Sequence, residues 1–220
     1  MSTADFVVVG SYSIAIAVVI AIVRFRKIHR NFHAFVFILF AAMLNEIASY
    51  LLIQVFKTGN AVSNNIFGLG EAMLWMFQFR RWNGFKAAKW TFTAVLLALT
   101  GVWIFENLVL GKISSFSSAY SIFYAFILVF LSINQVNRLI VEENRNLFTN
   151  SIFLICSGVI IFNTYRIFVE SFYVFEMEHN SAFLMNVFII LAFVNLFVNL
   201  LFALATLWIP TRQRFSLPYS

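Results

Sequence analysis

Seven apolar segments, most of them close to the length of a membrane-spanning helix, follow one another along this chain. A helix needs about 20 mostly apolar residues to cross the hydrocarbon core of a bilayer. The segments lie at approximately Phe6–Val23, Ala34–Phe56, Val62–Phe79, Trp90–Phe105, Phe116–Ile133, Phe148–Val174 and Ala182–Trp208. We number them spans 1 to 7. The pattern predicts an all-α integral membrane protein with seven transmembrane helices, in which residues 1–220 form a single domain.

The composition excludes a soluble globular protein. Hydrophobic residues make up 62% of the chain and charged residues 11%, whereas a soluble domain contains about 45–50% and about 25%. Such a chain has too few polar side chains to cover a globule in water. The single cysteine, Cys156, also excludes a disulfide framework.

Basic residues are divided unevenly between the two sets of loops. One set carries Arg24, Arg26, Lys27, Arg30, Arg80, Arg81, Lys86, Lys89, Arg138, Arg145, Arg212 and Arg214, and we call this the basic end. The other set carries Lys57 and Lys112, with Asp5, Glu106, Glu176 and Glu178. Since short cytoplasmic loops collect positive charge, we expect a multi-pass protein of the inner membrane with its N-terminus outside and its C-terminus in the cytoplasm. Basic loops that face anionic lipid headgroups explain the net charge of +6. Nucleic acid is therefore not an expected partner.

Four charged residues fall inside the predicted spans. Glu46 lies in span 2, Glu71 in span 3, and Arg166 and Glu170 in span 6. Charges within a membrane are costly and usually face the bundle interior or water, which makes each of them a candidate functional residue. Counting about 1.5 Å per residue from the span ends places the first three at similar depths near the middle, with Glu170 one turn further out.

Polar neighbours share the helix faces of these charges. Asn163 lies one turn before Arg166, Tyr50 lies one turn beyond Glu46, and Asn195 lies in the middle of span 7. We predict a polar chamber in the outer half of the bundle, lined by spans 2, 3, 5, 6 and 7. The predicted ligand-binding residues are Glu46, Glu71, Arg166, Glu170, Asn195, Tyr50 and Asn163. The alternative is that these side chains only join helices through hydrogen bonds.

The balance of charges among the four residues indicates the kind of ligand. Three carboxylates face one guanidinium if these groups converge, and Arg166 remains protonated and balances one of them. The surplus carboxylates should then carry protons or be matched by a bound cation, because an unpaired buried charge is disfavoured. The expected partners are therefore the lipid bilayer, a small polar or cationic ligand, and a cytoplasmic or membrane signalling protein.

Several chemistries are excluded by residue positions. All five lysines lie in loops, so no retinal Schiff base can form inside a span. His29, His33 and His179 flank the spans, which leaves no interior histidine for haem or zinc, and we expect no cofactor and no metal. A glutamate acting with Arg166 is the acid or base chemistry that remains, although no nucleophile is evident, so an intramembrane lipid-modifying enzyme is a minor alternative.

Transport is the main alternative to a receptor. Seven helices can form two three-helix units joined by a linker, and Asn45 and Asn163 occupy comparable positions in spans 2 and 6. However, no span contains proline, so the broken helices typical of transporter sites are not indicated. A proton-coupled transporter or a channel therefore stays open as a second hypothesis.

The pairs Asn45-Glu46 and Asn64-Asn65, with Glu71 nine residues before Arg80, carry a resemblance. The chain resembles a loose group of uncharacterised bacterial seven-helix inner-membrane proteins with one glutamate in the second helix and one in the third. It is more distantly similar in layout to the seven-helix sensor modules that precede bacterial signalling kinases. The function we expect is receptor-like: occupancy of the chamber shifts helix packing, and a partner reads the change at the basic end.

Overall fold

Helices account for 87% of the computed structural model. The structure describes residues 10, 12–85, 89–142, 147–174 and 181–211. Within these ranges the α-helices are α1 (Ile14–Arg24), α2 (His33–Tyr50), α3 (Ala61–Arg81), α4 (Lys89–Ile104), α5 (Ser118–Glu142), α6 (Ser151–Val174) and α7 (Ser181–Trp208). The described residues contain no β-strand, so the predicted all-helical class is confirmed.

Two of the helices are lengthened by π-helical segments at their C-terminal ends. Leu51–Val55 continues α2, and Phe105–Val109 continues α4. Short 3₁₀ turns lie at Arg30–Phe32, Lys112–Ser114 and Leu147–Thr149. The segment after α4 explains how span 4, which is short in the sequence prediction, reaches 20 residues from Trp90 to Val109.

Among the described residues, five helical stretches are long and apolar enough to cross a membrane. They are Arg30–Val55, Trp90–Val109, Ser118–Val141, Ser151–Phe172 and Ile189–Trp208. The chain is therefore a multi-pass membrane protein. The described part of α1 is apolar but has only 11 residues, whereas α3 has 21 residues but carries polar side chains that include Asn65, Glu71 and Gln78.

Large apolar side chains cover the outside of the bundle. Leu97 on α4 and Phe130 on α5 are 68% and 70% exposed. The polar helix α3 shares this property, because Val62, Ile66 and Phe77 on its outer face are also exposed. An apolar surface of this extent is unfavourable in water, so it contacts the lipid bilayer.

Six of the helices pack side by side in a ring. Neighbouring pairs are α1 with α2, α2 with α3, α3 with α5, α5 with α6, α6 with α7, and α7 with α1. Helix α4 packs against α3 and α5. The ring surrounds a common centre, and α4 lies outside it.

An apolar layer fills the centre of the ring on the side of the basic end. Its members are Phe35, Leu39, Met76, Phe79, Leu128 and Ile155, and each is at most 1% exposed. The Phe35 ring lies 5.5 Å from the ring of Phe202 and 6.2 Å from that of Trp75, measured between centroids. Side chains buried to this degree form a packed apolar layer between the middle of the bundle and its basic end.

Polar side chains fix the helix ends at the basic end. The Arg24 guanidinium donates to the carbonyl oxygens of Thr206 at 2.6 Å and Ile209 at 3.1 Å, where positive charge also suits the C-terminus of α7. The fully buried Gln78 side chain accepts from the Phe35 N–H at 2.7 Å and donates to the Asn31 carbonyl at 2.6 Å. These bonds join α1 to α7 and α3 to the start of α2.

Candidate functional site

A cavity of about 290 Å³ lies within the ring, at the end of the bundle opposite the basic end. Its lining residues come from the C-terminal parts of α2 and α6, from the N-terminal parts of α3 and α5, and from the second half of α7, between Asn195 and Phe202. Ile14 adds a contribution from α1, while no described residue of α4 lines it. The helices that meet here include the five that the sequence analysis placed around a polar chamber.

Six of the seven predicted binding residues line this one cavity. They are Glu46, Glu71, Asn163, Arg166, Glu170 and Asn195. All except Asn163 are partly exposed, as expected for side chains that border a cavity, and Asn163 is only 4% exposed. The structure therefore brings together charged residues from α2, α3 and α6 that lie up to 124 positions apart in the sequence, from Glu46 to Glu170.

Tyr50 is the predicted binding residue that the structure places elsewhere. It is 51% exposed and does not line the cavity. Its ring meets the edge of the Tyr12 ring instead, with the centroids 6.5 Å apart. Tyr50 is the last residue of α2, and four residues of helix turn it about 40° from Glu46, so it faces α1.

Arg166 is positioned by the helix next to its own. Its Nη2 donates to Ser121 Oγ at 3.1 Å, and its guanidinium carbon lies 5.8 Å from the centroid of the Tyr124 ring. The positive charge also interacts electrostatically with the Glu71 carboxylate on α3. Arg166 thus connects α6 with α5 and α3 at the cavity wall.

Two stacked tyrosines form the α5 side of the site. The rings of Tyr120 and Tyr124 are nearly parallel, at 9°, with centroids 6.0 Å apart. The Tyr120 hydroxyl donates to the Gly68 carbonyl at 3.4 Å. The Tyr124 hydroxyl is buried and lies close to the Glu71 carboxylate on α3.

Three asparagine side chains around the cavity use their amide nitrogens within the protein, whereas the Asn64 and Asn195 side chains accept hydrogen bonds through their oxygens. Asn163 Nδ2 donates to the Val159 carbonyl at 2.9 Å. Asn199 Nδ2 donates to Ser13 Oγ at 2.8 Å, which ties α7 to the region before α1. Asn45 Nδ2 donates to Asn64 Oδ1 at 2.8 Å and joins α2 to α3. The Asn163 oxygen is considered below, since it has no partner among the described residues.

The sequence analysis did not predict a role for Glu106 and counted it only among the residues of the less basic loops. Glu106 lies at the predicted end of the molecule, but it is 5% exposed. Its carboxylate accepts the backbone N–H of Tyr120 at 2.6 Å and that of Ala119 at 3.3 Å. It therefore caps the N-terminus of α5, the helix that carries Tyr120 and Ser121 to the cavity.

Asn65 is the second residue whose role was not predicted. Its Nδ2 donates to the carbonyls of Ile113 at 3.0 Å and Ser115 at 2.7 Å, and its Oδ1 accepts from the Ser117 N–H at 3.3 Å. Its own carbonyl accepts from Trp103 Nε1 at 2.8 Å. Asn65 thus holds the connection between α4 and α5 against α3 at the rim of the cavity.

The cavity carboxylates do not converge on a single point. Among the described residues, no three His, Cys, Asp or Glu side chains are arranged to hold a metal ion. The three glutamates instead border a cavity that also has aromatic walls, including Phe67, Trp75, Phe116, Phe162 and Phe202. This arrangement suits a small organic ligand with a polar group and an apolar body.

No protein-family model, curated protein or solved structure gives a significant match to the chain. The cavity and its position in the bundle are consequently the observations from which a function can be argued.

Proposed function

We propose that this chain is a receptor-like protein of a bacterial inner membrane whose cavity binds a small ligand, a proton or a cation from the outer side. The observation that carries the proposal is the meeting of six predicted polar residues at one cavity, at the end of the bundle away from the basic residues. A partner at the basic end would read the resulting change in helix packing. The resemblance to seven-helix sensor modules agrees with this role.

We further propose that α1 and α3 complete a set of seven spans, with the N-terminus outside. At about 1.5 Å per residue, the 21 residues of α3 cover about 31 Å. Its polar residues Asn65, Glu71 and Gln78 contact other helices or the cavity, whereas Val62, Ile66 and Phe77 are left for lipid. For α1, the apolar sequence begins before the described helix, at Phe6.

The topology makes a direct prediction for cysteine labelling. With the buried Cys156 replaced by alanine, a cysteine at Gly59 between α2 and α3 should react with a membrane-impermeant maleimide in intact cells. A cysteine at Lys27, which is exposed in the loop between α1 and α2, should react only after the membrane is broken. The reverse pattern would reverse the orientation, and labelling of both sites in intact cells would show that α2, the helix between them, does not cross the membrane.

The apolar layer supports a receptor in preference to a transporter. Its buried side chains lie between the cavity and the basic end, and we propose that a ligand enters and leaves on the side away from the basic end. Transport would require Phe35, Met76 and Leu128 to move apart and expose the cavity to the other face. The described helices contain no proline that would provide a hinge for such a movement.

Reconstitution in vesicles tests this choice. We expect vesicles that contain the protein to hold an imposed pH gradient as long as protein-free vesicles, with an ionophore added last to show that a gradient was present. The same protein should show a higher midpoint of thermal unfolding with at least one ligand of a small-metabolite screen performed across pH. Proton or solute flux that is lost in the Glu71→Gln variant would instead establish transport, and the absence of both flux and any ligand shift would count against binding.

A further inference from the structure

The cavity lining is rich in hydrogen-bond acceptors. Glu46, Glu71 and Glu170 supply carboxylate oxygens, which accept hydrogen bonds when ionised. Two hydroxyl donors near the start of α5 are already used: the Tyr120 hydroxyl donates to the Gly68 carbonyl, and the Ser117 hydroxyl donates to Asn107 Oδ1 at 2.8 Å. A ligand that brings N–H or O–H donors of its own therefore fits this lining.

One asparagine oxygen strengthens this argument. Asn163 is 4% exposed and lines the cavity, and the bond from its Nδ2 to the Val159 carbonyl fixes the amide orientation, because a carbonyl can only accept. Its Oδ1 has no protein partner within the described ranges. Acceptors without partners on almost fully buried side chains are rare in folded proteins, so this oxygen indicates a missing donor. The Asn45 oxygen also has no partner within the described ranges, but it has almost no accessible surface and is out of reach of a ligand in the cavity.

The charges of the lining favour the same kind of ligand. Three carboxylates and one guanidinium border the cavity. The guanidinium of Arg166 already interacts with Ser121, the face of Tyr124 and Glu71. A positively charged ligand is attracted to such a lining, whereas an anion would have to compete with the carboxylates for Arg166.

The apolar part of the lining indicates which chemical groups of a ligand accompany its positive charge. Aromatic side chains from α3, α6 and α7 border the cavity, among them Trp75, Phe162 and Phe202. Aromatic rings stabilise ammonium groups through cation–π interactions and also pack against alkyl chains. A bare metal ion would use neither property, and a volume of about 290 Å³ is at the lower limit of pockets for organic ligands.

We propose that the ligand is a small aliphatic amine in its ammonium form, with N–H donors directed at Asn163 Oδ1 and a cavity carboxylate. Its alkyl chain lies against the aromatic wall. The inference rests on the proposed function, because it names the ligand class of the same cavity.

A panel of probes of similar size tests the ligand class on the purified full chain. We use butylamine, butanediamine, tetramethylammonium, butanol and butyrate, and measure the midpoint of thermal unfolding together with the heat of binding. We expect both amines to raise the midpoint and to bind, because binding to the folded state stabilises it. Tetramethylammonium, which has no N–H donor, should have a smaller effect, and butanol and butyrate should have none.

Variants connect the binding to these atoms. Glu71→Gln and Asn163→Leu should each weaken amine binding about 10- to 100-fold, as expected for the loss of a hydrogen bond to a charged group. Glu142→Gln is the matched control, because Glu142 ends α5 at the basic end, and it should bind as the wild type does. If Asn163→Leu fails to fold, Glu170→Gln at the cavity provides the second test.

The outcomes separate the ligand class from the proposed function. Binding of butyrate but not of the amines would overturn the amine inference and leave a receptor for an anion. Equal binding by wild type, Glu71→Gln and Asn163→Leu would overturn the assigned contacts. Absence of binding by every probe would also overturn the amine inference, and the proposed function would then fall only if the metabolite screen gave no shift.

Discussion

Replacing Arg166 with methionine should destabilise the folded protein by about 3 kcal/mol. The substitution keeps an unbranched side chain of similar length but removes the guanidinium among the cavity carboxylates. Glu71 loses its favourable electrostatic partner, and Ser121 loses its 3.1 Å hydrogen bond. Removal of one partner is costly because it leaves the other charge poorly compensated in a medium of low polarity.

The measurement is the free energy of unfolding in mixed detergent micelles, with two controls. Arg26→Met removes an exposed arginine from the loop after α1, and it should change stability by less than about 0.5 kcal/mol. Glu71→Gln in the Arg166→Met background should recover part of the loss, because the neutral amide no longer needs a cation. A double-mutant cycle then gives the coupling between the two side chains. If Arg166→Met were as stable as Arg26→Met, Arg166 would have no part in compensating the cavity charges.

The convergence of charges on one cavity could be predicted because helices are regular. Each residue adds a constant rise, so counting from loop residues gave similar depths for Glu46, Glu71 and Arg166. A charged side chain in a span has few favourable directions other than the bundle interior, which selects the face. Tyr50 was placed wrongly by the same counting because it stands at the end of α2, where a small rotation directs it toward Tyr12.

The anchoring of the cavity rim could not be predicted in the same way. Asn65 bonds to residues 48 to 52 positions away, and Glu106 bonds to backbone groups 13 and 14 positions away. Helical periodicity relates only residues a few positions apart, so it contains no information about these contacts. In the sequence, a buried glutamate near a loop cannot be distinguished from an exposed one. The partner of Glu106, the N-terminus of α5, is evident only from the way α4 packs outside the ring.

These contacts form a continuous series from Glu106 to the cavity. Glu106 holds the first turn of α5, and Tyr120 in that turn reaches the Gly68 carbonyl on α3. The next residue, Ser121, holds Arg166 on α6. A change at Glu106 should therefore reach the cavity even though Glu106 does not line it.

Glu106→Leu is accordingly the second substitution with a large expected effect, a loss of about 2–4 kcal/mol in the free energy of unfolding. It removes the acceptor for the Ala119 and Tyr120 N–H groups and leaves the Tyr120 donor buried without this partner at the N-terminus of α5, where capping and the helix dipole each contribute about 1 kcal/mol. Glu106→Gln retains one side-chain oxygen and should lose about half as much. Ser115→Ala removes an exposed hydroxyl from the same connection and should change stability by less than about 0.5 kcal/mol.

Amide hydrogen exchange distinguishes this capping role from a general loss of packing. In Glu106→Leu, exchange should accelerate first at Ala119, Tyr120 and Ser121, while amides in the apolar layer, such as those of Met76 and Leu128, remain protected at the level set by global unfolding. Because Ser121 positions Arg166, affinity for a cavity ligand should fall in the same variant. Uniform acceleration across α5, with no local excess at its first turn, would show that Glu106 acts only through overall stability and that the cavity is positioned by other contacts.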